Sequence, residues 1–412
     1  MLSLIVAGTA HAGGYRVALQ GQKALAMGHA GVAMSESAEV VFFNPGAMTQ
    51  LESDVDFTGG LNLLTAETLY RSEATLIEEE TDNPLGTPIN AYYTQKMSDQ
   101  MSWGLGIYTP YGNKVEWPTD WAGSHLVNYI ELQAIYIQPT IGYQVNDATS
   151  VGFGPNLVLG SVEFNRNLDT GSLFFDEDGN RSNVTIKAEN VVAWGFNLGI
   201  LHKLSDKTSL GFSYRSEVTV EARDEDADFD DIAAANEDTF ADGDFDADLP
   251  LPAELTIGIA YQYSDRMTLA FDINRTYWDV YDELVIEFDN GITSVNPRNY
   301  QDSNIFRFGL QYRYNDRWTL RGGIYFDESP VQDGYFAPET PRNDSIGYTA
   351  GATYRYSKNL EMDFSLLILT FDDEENSYDF YEEPRDSGIF IPFGGAYDSA
   401  ANSIGFGLSY KY

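Results

Sequence analysis

Six short polar turns, each set between segments in which apolar and polar residues alternate one for one, leave little choice of architecture. They read Ser98-Asp99, Asn146-Asp147, Ser205-Asp206, Ser264-Asp265, Asn315-Asp316 and Ser357-Lys358. Short Ser, Asn and Asp side chains hydrogen-bond nearby backbone and tolerate left-handed conformations, so each turn closes a β-hairpin. The long connections between hairpins must then lie at the opposite end. Six hairpins with a first and a last strand added make fourteen strands. The spacing therefore predicts an all-β chain: a fourteen-stranded antiparallel transmembrane β-barrel, with short turns on one rim and long loops on the other.

The strands expected from the alternation are approximately 54–66, 88–97, 101–109, 131–145, 148–165, 184–204, 207–222, 253–263, 266–287, 304–314, 317–327, 345–356, 359–371 and 402–412. In the clearest, Phe306, Phe308, Leu310, Tyr312 and Tyr314 interleave with Arg307, Gly309, Gln311 and Arg313. Successive side chains of a strand point to opposite faces, so one face is apolar and the other polar. A polar series carrying Arg and Gln beside Gly suits a wet lumen, which leaves the aromatics facing lipid. Tyr263, Tyr314, Trp318 and Tyr356 beside the turns suit a girdle at headgroup level.

No run of the sequence approaches the roughly 20 apolar residues of a spanning helix. Only helices and closed sheets satisfy every backbone polar group in lipid, so a membrane role requires a barrel. The 412 residues contain no cysteine, which fits an oxidising export route. The net charge of -39 excludes nucleic acid as a partner, because phosphate would be repelled. The acids concentrate in outer segments, above all Glu221 to Asp248, expected as a loop. That acidity reads either as a solvated rim or as a site for cations and lipopolysaccharide phosphates. No calcium-loop spacing supports a metal site, since Asp176-Glu177-Asp178-Gly179-Asn180 places its glycine too early.

Residues 1–12, an apolar stretch ending in Ala10-His11-Ala12, read as part of a secretory signal, with a first buried strand or helix as the alternative. Residues 13–53 lack alternation and are rich in Gly, Ala and Met, which suits a plug packed inside a barrel. The barrel itself takes 54–412. Its last strand ends Ile404, Phe406, Leu408, Tyr410, Tyr412, and resembles the signal read by the barrel assembly machinery.

Three segments carry a resemblance to a known family. They are Gly28–Leu51 with Asn44-Pro45-Gly46, Trp103–Gly123 (WGLGIYTPYGNKVEWPTDWAG), and Phe306–Pro341 with its run RWTLRGGIYFDESPV. In that order they resemble the FadL-type outer-membrane transporters of long-chain fatty acids and other hydrophobic compounds, toluene-uptake members included. The family's hatch motif is Asn-Pro-Ala, from which Gly46 departs. The resemblance implies a monomeric fourteen-stranded barrel of the Gram-negative outer membrane with a small amino-terminal hatch. It implies passive transport, no catalytic centre and no cofactor. Its partners would be a hydrophobic ligand and outer-membrane lipid.

The family's lateral release, through a gap beside a kinked third strand, maps here onto Gly104, Gly106, Thr109, Pro110 and Gly112. Gly and Pro interrupt a ladder locally, so Pro110 reads either as the edge of a kink or as the start of a loop. The family's capture groove maps onto the third and fourth outer loops, with Leu168, Leu173, Phe174 and Phe175 in one and Phe229, Ile232, Phe240 and Phe245 in the other. Those residues either receive a ligand or pack the loops together. Arg307, Arg313 and Arg321 could pair a ligand headgroup in the lumen or lumen acids. Enzyme readings have little to stand on: only His11, His29, His125 and His202 exist, and no nucleophile elbow or zinc-protease spacing occurs. A structural or adhesive surface barrel with acidic ion-binding loops is the alternative function.

Overall fold

The computed structural model describes residues 14–73, 75–119, 121–168, 175–176, 178–382 and 388–412. The expected signal at 1–12, and Leu173 and Phe174 of the expected capture surface, lie outside the described residues. Among the described residues fourteen strands close into one antiparallel ring. They are β1 Val55–Ser72, β2 Ile89–Lys96, β3 Met101–Glu116, β4 Tyr129–Gln144, β5 Thr149–Asn167 and β6 Asn183–Ser205. β7 runs as Thr208–Arg215 and then Val218–Asp230, and β8 as Gly243–Leu251 and then Glu254–Ser264. The ring continues through β9 Met267–Thr276, β10 Ser303–Arg313, β11 Trp318–Asp327, β12 Ser345–Arg355, β13 Leu360–Phe371 and β14 Phe393–Lys411. Pairing of β1 with β14, from Asp56 opposite Lys411 to Ser72 opposite Gly395, shuts the wall.

The polar turns make the hairpins by one device. In each, the first turn residue folds its side-chain oxygen back onto backbone N–H groups ahead of it. Asn146 Oδ1 accepts from Ala148 and Thr149 at 2.9 and 3.0 Å, and Asn315 Oδ1 from Arg317 and Trp318 at 2.9 Å each. Ser98, Ser205, Ser264 and Ser357 accept in the same way through Oγ. The turn is thereby closed locally, without waiting for the distant strand to arrive.

The two faces are sorted as the alternation requires. Phe153, Ile257, Phe308, Leu320 and Phe406 point outward and are exposed, while their polar neighbours Arg307, Arg321 and Asp363 are buried in the lumen. An exposed apolar belt around a closed ring is stable only in lipid.

Four expectations about strand bounds need correction. The acidic stretch Glu221–Asp248 is not a loop. Its outer parts pair as a hairpin arm, with Ala222 opposite Ala247 and Leu249 opposite Val220, and only the connection around 231–242 is loop. β3 does not stop at Thr109 but continues through Pro110 to Glu116. β1 and β14 run several residues beyond the apolar belt, because strands above the lipid need no apolar outer face. The expected strand 266–287 ends at Thr276. Trp278 then swings inward on a 3-10 turn, and Glu283–Phe288 pairs with Thr293–Pro297 in the loop region.

Candidate ligand cavity and the interrupted third strand

The N-terminal segment, residues 14–50, lies inside the ring and is buried almost throughout. It contains two single-turn helices, α1 Gln22–Leu25 and α2 Val40–Phe43, and a 3-10 turn Pro45–Gln50. A Gly-, Ala- and Met-rich stretch cannot fill a wide lumen with its own side chains, so its backbone approaches the wall and bonds to polar lumen residues. Asp272 of β9 accepts from the Gly31 and Val32 N–H groups at 2.8 and 3.0 Å. Thr349 of β12 accepts from Gly28 N–H at 2.8 Å, and Gln138 of β4 donates to the Val41 carbonyl at 2.8 Å. Lys23 pairs with Glu361 of β13 at 2.7 Å, and Arg321 of β11 holds Glu36 at 3.1 Å.

Asn44, Pro45 and Gly46 sit at the closest approach. The Asn44 amide donates to the carbonyls of Val32 at 2.7 Å and of Ile200 in β6 at 2.9 Å, while its Oδ1 accepts from Gly46 N–H at 3.0 Å. One side chain thus ties a turn of the segment to the wall. A Cβ on Gly46 would stand 2.8 Å from the Gly199 carbonyl oxygen, which explains why this chain has glycine at the third motif position. Burial pushes the Glu39 carboxyl up to about 7, against the opposing pull of Lys23. Burial also holds the His29 imidazole well below its usual value, beside Phe43.

Above the segment lies an apolar cavity of about 110 Å³. Leu132 and Ala134 of β4, Val162 of β5, Ile186 of β6, and Phe245 and Leu249 of β8 contribute to its wall. Its floor is Tyr15, gripped by Tyr111, Trp278 and Tyr281 at ring distances of 6.2, 4.9 and 5.7 Å. One pole is polar: Arg166, Asn296 and the buried Arg298–Glu339 pair face it.

Beside the floor the wall is interrupted. β2 pairs with β3 only from Lys96 opposite Ser102 to Ala91 opposite Ile107. On its other side, β3 shifts register against β4 between Tyr108 and Tyr111, the position of Thr109 and Pro110. Proline lacks a ladder donor and forces this irregularity. The N-terminal segment fills the edge. Val17 N–H donates to the Pro110 carbonyl at 2.8 Å, and Gly112 N–H donates to the Tyr15 carbonyl at 3.0 Å. Gln20 adds a side-chain bond to the Thr109 carbonyl at 2.8 Å. Gly104 and Gly106, lower on β3, leave room for Val41, whose methyl carbons would stand 3.0 Å from a Cβ at either position. Behind the Tyr15–Val17 edge a second cavity, about 100 Å³, runs from Val17 and Leu19 to Leu64 and Ala66 of β1 and Val115 of β3.

The other expected residues are scattered. Phe245 is fully buried in the wall of the upper cavity. Phe229 packs on Phe240 and Phe288 at 5.7 and 5.5 Å near the outer end of the arm, with Ile232 half-buried close by in the chain. Leu168 packs beside them, whereas Phe175 is partly exposed under the Arg181 guanidinium at 5.2 Å. The three arginines separate. Arg307 lines a small polar cavity with Arg16, Arg215 and Glu254, Arg321 is taken up by Glu36, and Arg313 is exposed at the turn rim, two steps down the same face as Gln311.

Sequence reading missed the charge cluster beneath the floor, in which Arg16 pairs with Asp327 at 2.7 Å and Arg215 with Glu254 at 3.1 Å. Its members come from the N-terminal segment, β7, β8 and β11. Only the polar phase of each strand could have pointed to them. Among the described residues no group of three His, Asp or Glu is placed to hold a metal ion.

A family model described as outer membrane protein transport protein (OMPP1/FadL/TodX) matches residues 3–412. Outer membrane protein P1 of Haemophilus influenzae is 23% identical over 410 residues, covering 89% of this chain and 88% of the relative. The long-chain fatty acid transport protein of Escherichia coli K12 is 24% identical over 372 residues, covering 82% and 83%. A solved FadL homologue from Pseudomonas aeruginosa superposes with a TM-score of 0.83 at 18% identity, over 97% of this chain and 99% of that one. The P. putida toluene transporter TodX gives 0.70 at 19% identity, over 94% and 98%. With its closed ring and lipid-facing belt, the chain belongs to the OMPP1/FadL/TodX family of outer membrane transport proteins, and is a β-barrel of the Gram-negative outer membrane and not an enzyme.

Proposed function

We propose that the protein passes long-chain fatty acids or hydrocarbons through the outer membrane without an energy source, with residues 14–50 as its hatch. One juxtaposition carries this reading. The apolar cavity rests on Tyr15, and the Tyr15–Val17 edge is also what fills the interrupted wall at Pro110. A molecule settling in the cavity presses on the residues that close the exit.

The energies favour such coupling. The edge is held by two backbone hydrogen bonds and the Gln20 contact. Each contributes about 1 kcal/mol net. Burying a methylene gains about 0.8 kcal/mol, so a few methylenes displacing the floor offset the closure. The apolar side chains of the outer arm, Phe229, Ile232 and Phe240 with Leu168, would meet the ligand first. The Arg298–Glu339 pole, and Arg307 below, offer a carboxylate a partner. That relatives carry the names of a fatty acid transporter and of a toluene transporter supports a hydrophobic ligand of either kind.

The test is uptake of tritiated oleate and of labelled toluene by a strain lacking the protein, complemented by the full chain or by one lacking Gly14–Ser53. Complementation that restores neither compound removes the proposal. Restoration by the full chain, with altered passive permeability in the shortened one, supports it.

A further inference from the structure

The wall is interrupted a second time, between β6 and β7, far from the third strand. β6 pairs with β7 from Ser205 opposite Thr208 up to Asn197 opposite Arg215, and again at the outer end from Lys187 opposite Asp226 to Asn183 opposite Asp230. Between these runs, residues 188–196 and 216–225 have no ladder partners across the seam. Both stretches are paired on their far sides, β6 with β5 and β7 with β8, each ladder with one register shift, opposite Ala188–Val191 and Ala222–Glu225. One exchange of hydrogen bonds, Phe196 N–H to Ser216 Oγ and Ser216 N–H to the Phe196 carbonyl at 2.9 Å each, pins the lower end. The unpaired seam is roughly 30 Å long at the rise of an extended strand.

Its two faces differ. On the lipid side Val192 and Trp194 are 58% and 67% exposed, more than Leu198 and Ile200 below them, because no strand flanks them there. Glu221 and Arg223, with Arg223 paired to Asp248 at 2.6 Å, stand above on β7 and mark the polar boundary. On the inner side Ala188 and Val191 of β6, and Val220 and Ala222 of β7, line the apolar cavity directly. The seam is filled by side chains alone. Val218 packs where a Cβ on Gly195 would fall, 2.6 Å from its methyl, and Val220 crosses to Gly160 of β5 in the same manner. β7 is broken at Ser216-Glu217 and β8 at Pro252-Ala253, so the arm carrying both valines is jointed where it leaves the wall.

We infer that this seam is a second lateral portal, through which a hydrophobic molecule with a polar end exchanges directly between the cavity and the outer leaflet, with Val218 and Val220 as the closing side chains. The inference rests on the transport reading above and adds a route that bypasses the hatch. Beyond the Phe196–Ser216 exchange that pins its lower end, opening breaks no backbone hydrogen bond between the strands along the seam. It needs only a tilt of the arm that lifts two valines off two glycines.

The absence of cysteine makes the test clean. An ideal Cβ on Gly160 lies 3.5 Å from the Val220 Cβ, within the span of a disulfide. The double variant Gly160→Cys, Val220→Cys is reconstituted into phosphatidylcholine vesicles with tritiated oleate. Exchange of bound oleate with the bilayer is timed in the oxidised and reduced states, and loss to albumin in the outer solution is timed in parallel. With the Pro110 route still open, oxidation should slow exchange with the bilayer about twofold, with recovery on reduction and no change in loss to albumin. Equal exchange in both states, with the disulfide confirmed by mass, overturns the portal. Equal slowing of both routes also overturns it, since the arm would then be a lid over the outer mouth. Failure of the reduced protein to bind oleate at all would instead sink the transport reading itself.

Discussion

Replacing Asn44 by alanine should release the hatch without harming the barrel. The side chain is wholly buried and makes three hydrogen bonds, two donated to the carbonyls of Val32 and Ile200 and one accepted from Gly46 N–H. Each neutral bond contributes about 1 kcal/mol net, and leaving a buried partner unsatisfied costs about 1–3 kcal/mol more. Water reaching the small gap recovers part of this, so the loss is on the order of 3 kcal/mol. That loss falls on the equilibrium between the docked and undocked segment, because the strands on either side keep their ladders. Three kcal/mol corresponds to roughly two decades in an equilibrium constant. Amide hydrogen exchange over residues 31–50 should therefore speed up about a hundredfold, as expected for a local opening. Exchange in β10 to β13 should not change. Asn44→Asp keeps the acceptor for Gly46 but sets a buried carboxylate oxygen against the two carbonyls, and should speed exchange at least as much as alanine does. Exchange over 31–50 within a factor of three of the parent, or acceleration spread evenly over the barrel, would refute the view that this side chain ties the segment to the wall.

Three other outcomes follow from the same contacts. Val17→Pro removes the donor to the Pro110 carbonyl and should weaken the β3 closure by about 1–3 kcal/mol, read as faster transfer of preloaded oleate into the bilayer. Gly46→Ala drives a methyl to 2.8 Å from the Gly199 carbonyl and should cost about 1–3 kcal/mol, read as protease access to the N-terminal segment while the barrel stays resistant. Glu39 has a folded value raised to about 7, so the docked segment binds more protons than the released one between the ordinary glutamate value and 7. The stability it contributes is full below that window and is lost as pH rises through 7. Protection over 22–43, measured relative to the intrinsic base-catalysed exchange rate, should be higher at pH 5 than at pH 8, and Glu39→Gln should flatten that difference.

The ring was legible because its instructions are local. A serine or asparagine that caps two N–H groups ahead of it closes a turn wherever the chain carries it, and period-two alternation orients the strands on either side. The same reasoning failed where the outer face no longer meets lipid. In the arm, Ala222 and Ala227 face inward against Glu221, Arg223 and Asp226 outside. Alanine gives no apolar signal strong enough to stand out from a run of acids, so a hairpin read as a loop. Trp278 was hidden for the opposite reason. It continues the lumen phase of Asp272, Asn274 and Thr276, so nothing in the alternation marks where β9 ends and the inward turn onto Tyr15 begins. The charge cluster of Arg16, Arg215, Glu254 and Asp327 joins four elements, and no spacing along the chain records that meeting.

On the proposed transport reading, direction of movement follows from how polarity is layered along the barrel axis. Above Tyr15 the lumen is lined by Leu, Val, Ile and Phe, and below it by Arg16, Arg215, Glu254, Asp327, Asp272 and Lys23. An alkyl chain in the upper cavity that moved straight down would exchange apolar walls for these charges, losing about 0.8 kcal/mol for every methylene transferred. By the proposed exit at Pro110, it would exchange them for acyl chains at almost no cost. The N-terminal segment is held to the wall by hydrogen bonds and ion pairs as well as by apolar packing, with Val41, Phe42 and Met48 in one cluster with Tyr92, Tyr108 and Tyr136. When it shifts, water replaces its hydrogen bonds and the net loss per bond is small. In that reading the charges beneath the floor do two things at once: they hold the N-terminal segment in place, and they close the straight path to anything hydrophobic. A passive channel for water-insoluble molecules needs both, since the route through its wall is useful only while the route through its centre is forbidden.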